Sequence, residues 1–207
     1  MNLLTKQQRL DRIRAINLRH FDHSVWSYFP TPPAVIRQLL QHAKLNNGLS
    51  ILEPSAGKGA IARKINELWD CTIHCVEKQP DFSEILSLYG FNVIRQDFVE
   101  LKPQPIYDRV IANPPFDRQM SHIQQMYRWL KPGGKLVTVA NAVFLEPNKQ
   151  RYKASEYGQY SGSGSLYHQF FNWLDNTNAK VMRLPRGSFA TASRTTNVDT
   201  VIIVATK

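Results

Sequence analysis

The residues best suited to chemistry are Asn113-Pro114-Pro115-Phe116, which follow an apolar segment, 107–112, that reads as a buried strand. The lone pair of an exocyclic amine on an aromatic ring is delocalised into that ring, so the nitrogen is planar and a poor nucleophile. A side-chain amide oxygen and a backbone carbonyl can each accept one amino hydrogen, pull the nitrogen toward tetrahedral geometry and turn it toward an electrophilic carbon. Asn113 and the carbonyl of Pro114 are candidates for that pair. Pro114 and Pro115 fix two φ angles and bring no N–H, which makes a stiff turn whose carbonyls stay outside secondary structure. Phe116 adds a ring on which a base can stack, offsetting an unstacking cost of roughly a few kcal/mol. The chemistry suited to this set is alkylation of an exocyclic amine. Asn and Pro are also ordinary turn residues, so the tetrapeptide alone is equally consistent with a plain strand-ending turn.

A second candidate is Ile51-Leu52-Glu53-Pro54-Ser55-Ala56-Gly57-Lys58-Gly59-Ala60, an apolar strand turning through small residues into a helix. Small residues let the backbone come close to whatever binds there. This is not a phosphate-binding P-loop, because the glycine spacing is wrong and no Ser or Thr follows Gly57-Lys58. Glu77 ends the next expected strand, where a doubly wound sheet holds the ribose hydroxyls of a nucleoside cofactor. Glu53, Glu77 and Asp97 all fall at expected strand ends, the place where such sheets bind ligands. Taken singly, Glu53 and Asp97 also read as helix or turn caps, and Glu77 as a surface partner of Lys78 or Lys58, a pairing worth little.

The elements that must position these groups alternate along the chain. After Pro30-Thr31-Pro32-Pro33, residues 34–45 have helical apolar spacing, with Pro32 or Pro33 suited to the first turn. Strands are expected at 49–53, 72–77, 92–95, 109–112 and 135–140, and helices at 60–69, 82–89 and 120–130, with Pro132-Gly133-Gly134 separating the last helix from the strand after it. The chain closes with a helix at 167–175, a strand at 180–184 and an apolar strand at 198–205 that belongs inside the sheet. That rhythm predicts an α/β fold, a parallel sheet with helices on both faces.

With 207 residues, 43% of them hydrophobic, the chain suits one domain of ordinary size. The formal charge of +10 favours a polyanionic partner, since basic side chains that displace counterions supply most non-specific nucleic-acid affinity. Within the basic N-terminal segment 1–28, residues 3–20 read as an amphipathic helix whose charged face suits either solvent or nucleic acid. Periodicity is lost over 146–165, a loop longer than compact domains normally carry. There Arg151, Tyr152, Lys153, Tyr157 and Tyr160 mix basic and aromatic groups, as a flipped-base or single-strand contact would, while an unstructured linker has the same look. Cys71 and Cys75 are about 13 Å apart in an extended segment, too far for a disulfide. Alternation sends His74 to the opposite side from both, so no metal is expected. No apolar run approaches a membrane span, and cytoplasmic residence is the expectation.

The ordered set Thr31-Pro32-Pro33, Glu53 to Gly59, Glu77, Asp97-Phe98 and Asn113-Pro114-Pro115-Phe116 resembles the class I S-adenosylmethionine-dependent N6-adenine methyltransferases, especially the DNA enzymes with the amino-terminal cofactor motif. The resemblance runs from about Phe29 to the end and implies a methyltransferase domain over 29–207. Its fold would be a doubly wound, mostly parallel seven-stranded sheet of the Rossmann-like kind with a C-terminal antiparallel strand. The resemblance also implies S-adenosyl-L-methionine as cofactor and no metal. Thr31 would meet the methionine carboxylate, and Glu53, Ala56 and Gly57 would line the methionine portion. Glu77 would bind ribose, and Asp97 would accept from the cofactor adenine's amine, with Phe98 nearby. Asn113, Pro114 and Phe116 would hold the target base, with Pro115 beside them. The closing run Thr195-Thr196-Asn197-Val198-Asp199-Thr200 resembles the last hairpin of related phage and plasmid enzymes.

Two departures stand out. Many relatives that read DNA sequence carry a sizeable recognition domain, whereas only 1–28 and 146–165 are spare here. Ser55 replaces a different small residue of several relatives, a change expected to be harmless. The substrate implied is the N6 amine of adenine in DNA, ahead of adenine in ribosomal or transfer RNA, because compact enzymes with this tetrapeptide also act on RNA. A protein-glutamine substrate poses the same nitrogen problem, and a nucleic-acid-binding module that keeps the fold without catalysis is the reading from another class.

Overall fold

The computed structural model describes residues 4–19, 29–145, 163–190 and 198–207. Strands β1 (Ser50–Pro54), β2 (Thr72–Val76), β3 (Asn92–Ile94), β4 (Tyr107–Ala112), β5 (Leu130–Asn141), β6 (Lys180–Arg183) and β7 (Thr200–Thr206) form one sheet in the order β3-β2-β1-β4-β5-β7-β6. β1 pairs in parallel with β2 and β4, β2 with β3, and β4 with β5. β7 lies antiparallel between β5 and β6. The chain therefore winds outward from β1 to β3 and returns across the sheet to β4. This reversal opens a crevice at the carboxyl ends of β1 and β4, where doubly wound folds bind ligands.

Helices α2 (Pro33–Ala43), α3 (Ala60–Leu68), α4 (Pro80–Leu88), α5 (Gln119–Arg128) and α6 (Ser163–Asn176) cover the sheet. Strand residues alternate between two cores, as the period of two requires. Ile51, Ile73, Ile111, Val137 and Ile202 meet Leu39 of α2 and Ile61 of α3 on one face. Leu52, Val110, Leu136, Val201 and Ile203 meet Met126 of α5 and Phe170 of α6 on the other. Burial on both faces explains why β7 reads as an almost unbroken apolar run.

Helix α1 (Lys6–Arg19) turns Ile13 and Ile16 onto Ile85 of α4. Two of its basic residues are engaged by acids of α4, Arg12 with Glu84 at 2.6 Å and Arg19 with Asp81 at 3.7 Å. Part of the expected basic face thus serves to hold α1 against α4.

The sheet differs from the sequence expectation at β5, which begins at Leu130 and runs through Pro132-Gly133-Gly134 rather than starting after it. Neighbouring backbone explains this: Gly133 N–H donates to Lys207 O at 2.6 Å, Lys207 N–H donates to Gly134 O at 2.9 Å, and the β4–β5 register shifts between Tyr107 and Arg109. The local preference of Pro-Gly-Gly for a turn yields to pairing on both sides. Helix α6 starts at Ser163, so the last residues of the expected 146–165 loop are helical. Arg151, Tyr152, Lys153, Tyr157 and Tyr160 lie outside the described residues, as do Thr195, Thr196 and Asn197.

Cys71 and Cys75 are free thiols, and His74 Nδ1 is 2.8 Å from the Tyr107 hydroxyl. Among the described residues no group of three or more His, Cys, Asp or Glu is placed to hold a metal ion, and no helix is long and apolar enough to cross a membrane.

Candidate active site

A cleft of about 320 Å³ opens at the carboxyl ends of β1, β2 and β4. Its floor is the turn after β1. Gly57 and Gly59 take φ of 56° and 77°, and Ser55 takes φ of 61°, left-handed backbone that an L side chain adopts at a cost of roughly 1–2 kcal/mol. A Cβ on Gly59 would also come within 2.6 Å of Leu86 Cδ2. Ser55 is therefore a strained residue lining the cleft, a feature its residue type does not announce.

Two acids are fixed by this turn. Glu53 is 2% exposed, and its Oε2 accepts from Ala62 N–H, in the first turn of α3, at 2.7 Å. Burial pushes its carboxyl up to about 8, against the opposing pull of the Ala62 N–H and with a further push from Glu77. Among the described residues Oε1 of Glu53 makes no hydrogen bond. Glu77 accepts from Gly57 N–H at 2.7 Å through Oε2 and from Gln79 N–H at 2.8 Å through Oε1. It is buried and backbone-bonded, so the alternative of a surface ion pair with Lys58 or Lys78 falls away. Burial also raises the Glu77 carboxyl, although those N–H donors and Lys78 act to lower it.

Asp97 lies in the turn after β3. It caps the 3-10 turn Phe98–Glu100 by accepting from Val99 N–H at 3.3 Å, and it lines the cleft. Lys78 Nζ lies 3.1 Å from its Oδ2, and Arg118 reaches the same oxygen at 3.8 Å. Burial works to raise the Asp97 carboxyl, but the Lys78 hydrogen bond, the Val99 N–H and the Lys78 charge act against it, and the carboxyl is held low. Phe98 is 2% exposed, its ring packed against His122 and Trp129.

The opposite wall is the tetrapeptide after β4, with Pro114 and Pro115 both lining the cleft. Asn113 Nδ2 donates to Phe29 O and to Thr31 Oγ1, each at 3.2 Å. A carbonyl can only accept, so the contact with Phe29 O fixes which end of the amide is nitrogen. The oxygen left over, Oδ1, is buried and has no hydrogen-bond partner. Phe116 lies parallel to Phe29 with centroids 6.4 Å apart and meets Phe189 edge-on at 6.5 Å. The ring expected to receive a base is thus steadied by two other rings. Thr31, Ala56 and Gly57 complete the cleft, bringing the described cofactor and clamp candidates into one site.

Sequence reasoning missed Phe29, the Lys78–Asp97–Arg118 ion pairs and His122. His122 carries a readable signal: it is a polar residue on the apolar side of α5, one position before Ile123 and four before Met126.

No protein-family model matches the chain, and no curated protein matches it by sequence. Solved structures do match. A dimethyladenosine transferase from Plasmodium falciparum superposes with a TM-score of 0.59 at 19% identity, covering 87% of this chain and 64% of that one. Geranyl diphosphate methyltransferase in complex with SAM superposes with a TM-score of 0.60 at 16% identity, covering 84% of each chain. Haemonchus contortus phosphoethanolamine N-methyltransferase 2, in complex with phosphomonomethylethanolamine and S-adenosylhomocysteine, gives 0.61 at 14% identity over 99% of this chain. The fold is that of the S-adenosylmethionine-dependent methyltransferases. The chain spans 60% of the length of the Haemonchus enzyme. In this methyltransferase fold the six strands that run together and the reversed β7 account for the C-terminal antiparallel strand expected from the sequence.

Proposed function

We propose that the chain is an S-adenosylmethionine-dependent methyltransferase acting on the exocyclic N6 amine of adenine in DNA. The observation that carries this reading is the Asn113 amide, whose nitrogen is tied to Phe29 O and Thr31 Oγ1 while its buried oxygen has no partner. A buried acceptor left unpaired costs about 1–3 kcal/mol, which a donor arriving with substrate would relieve. With the Pro114 carbonyl it supplies the two acceptors that an amine with two hydrogens requires.

The residues of the cleft fit the proposed cofactor by chemistry. Its sulfonium supplies a methyl group to a nucleophile by direct displacement, a reaction that calls for positioning and hydrogen bonding. The free Oε1 of Glu53 faces the cofactor's ammonium in this reading. Thr31 accepts from Asn113 and so keeps its hydroxyl proton for a carboxylate. Glu77 retains one lone-pair site on each oxygen for ribose hydroxyls, and Asp97 accepts from the base's amine. The target nitrogen becomes acidic once alkylated, and its proton passes to water or to the acceptors at Asn113.

Adenine in RNA is the second reading, favoured by the likeness to the Plasmodium dimethyladenosine transferase. Incubation with methyl-labelled cofactor and separate DNA, RNA and protein pools, followed by nucleoside analysis, distinguishes them. N6-methyladenine in the DNA pool is expected. Label confined to RNA supports the second reading, and label in protein or in no pool overturns both.

A further inference from the structure

Among the described residues three buried side-chain atoms lack a hydrogen-bond partner: Asn113 Oδ1, His122 Nδ1 and Trp129 Nε1. Two of the three belong to walls of the cleft, and only Asn113 has a task in the reading above. His122 is 4% exposed and sits one turn into α5, its ring 5.8 Å from that of Phe98. Helix α5 is pinned on both sides of it. Gln119 Nε2 donates to Asn141 O at 3.1 Å and its Oε1 accepts from Asn141 N–H at 2.7 Å, while Gln125 Nε2 donates to Leu101 O at 2.6 Å. The imidazole is therefore held in place by its helix, not by a bond of its own.

The bland account, that His122 merely fills space against Phe98, leaves a buried ring nitrogen unpaired at a cost an apolar ring would not incur. The charged groups around it are Asp97, Asp117, Arg118 and Lys78. Burial favours its neutral form, with Arg118 and Lys78 in support and the two aspartates opposed. A neutral imidazole has one nitrogen able to accept. Asp97, the other acceptor of this corner, already receives Lys78 and Val99 N–H.

We propose that His122 is a nucleoside-binding residue of the cofactor site, its unpartnered Nδ1 accepting one hydrogen of the cofactor base's exocyclic amine while Asp97 accepts the other. A purine amine has two hydrogens, and this corner of the cleft offers a carboxylate and an imidazole to receive them. The inference rests on the cofactor assigned above and not on the identity of the methylated target.

The probe is 5′-deoxy-5′-methylthioadenosine, which carries the nucleoside without the amino acid and so does not engage Glu53. Calorimetry on the full chain is expected to show binding weakened about tenfold in His122→Phe, the loss of one hydrogen bond. His122→Asn, which places an amide near the position of Nδ1, recovers most of it. In parent protein with 15N-labelled histidine, the Nδ1 resonance of His122 moves when the probe binds and stays in place with free methionine. Unchanged affinity in His122→Phe, or an unmoved Nδ1 resonance at saturating probe, overturns the inference. The NMR measurement decides alone if the Phe variant does not fold. S-adenosylhomocysteine is titrated in parallel: if the parent binds it while His122 is silent, only this inference fails, and if the parent binds neither ligand the cofactor reading fails with it.

Discussion

Single residues in the cleft carry opposed demands, and their protonation makes those demands measurable. Glu53, held up to about 8 by burial, is protonated at neutral pH in the folded chain and ionised in the unfolded one. Its folded-state value is raised, so the folded protein binds the extra proton, and this group's contribution to stability falls as pH rises from about 4.5 to about 8. An ammonium placed against Oε1 reverses the preference. Binding of S-adenosylhomocysteine at pH 7 is therefore expected to release close to one proton per site, read from calorimetry in buffers of different ionisation enthalpy. Glu53→Gln abolishes the release; an unchanged release in that variant would place the proton elsewhere. Thr31 is a positioning residue for Asn113, because its hydroxyl accepts one of the two Nδ2 hydrogens. Thr31→Val keeps the shape and removes the acceptor, so methyl transfer should slow about tenfold while the melting temperature moves little. A rate equal to the parent's would show that Phe29 O alone orients the amide.

The elements explain which parts of the site are legible in the sequence. Asn113-Pro114-Pro115-Phe116 is legible because proline stiffness and amide chemistry are properties of residue type, and the strand before it has an apolar run that survives in the fold. Glu53, Glu77 and Asp97 are legible as strand-end acids because the alternation of strands and helices sets where those ends fall. Ser55 is not legible, since nothing in a serine marks left-handed backbone; the turn and its neighbours impose it. His122 is hidden in a helix whose apolar spacing invites a core reading, and its orphaned nitrogen exists only once α5 is packed. The start of β5 is hidden for the opposite reason, because Pro132-Gly133-Gly134 has a strong local turn preference that pairing with β4 and β7 overrides. Gly134 tests that last point: a Cβ there would lie 2.8 Å from Lys131 O and 3.1 Å from Tyr107 O, both backbone atoms that cannot step aside. Gly134→Ala is expected to destabilise by about 1–3 kcal/mol, seen as a lower urea midpoint at unchanged slope. A midpoint equal to the parent's would mean that the β4–β5 irregularity has room to spare.

At the scale of the whole molecule, the +10 charge and the two-part cleft divide the work between general attraction and local geometry. Binding to a nucleic acid of arbitrary sequence should weaken steeply with salt, by ~10²-fold or more between 50 and 200 mM, because counterion release sets the slope. S-adenosylhomocysteine binding, governed by buried groups, should change far less over the same range. Equal salt sensitivity of the two would contradict the separation of roles. In the proposed reading the cofactor half of the cleft is built from β1, β2 and the turn after β3 and the target half from the turn after β4, and the Asn113–Thr31 contact joins these walls. That arrangement makes one comparison decisive. Asn113→Ala is to be measured both for single-turnover methyl transfer to adenine-containing nucleic acid and for affinity toward S-adenosylhomocysteine. A fall in rate of ~10²-fold or more, with affinity within about threefold of the parent, is the predicted result. Transfer at the parent's rate would show that the amine is not held by this amide.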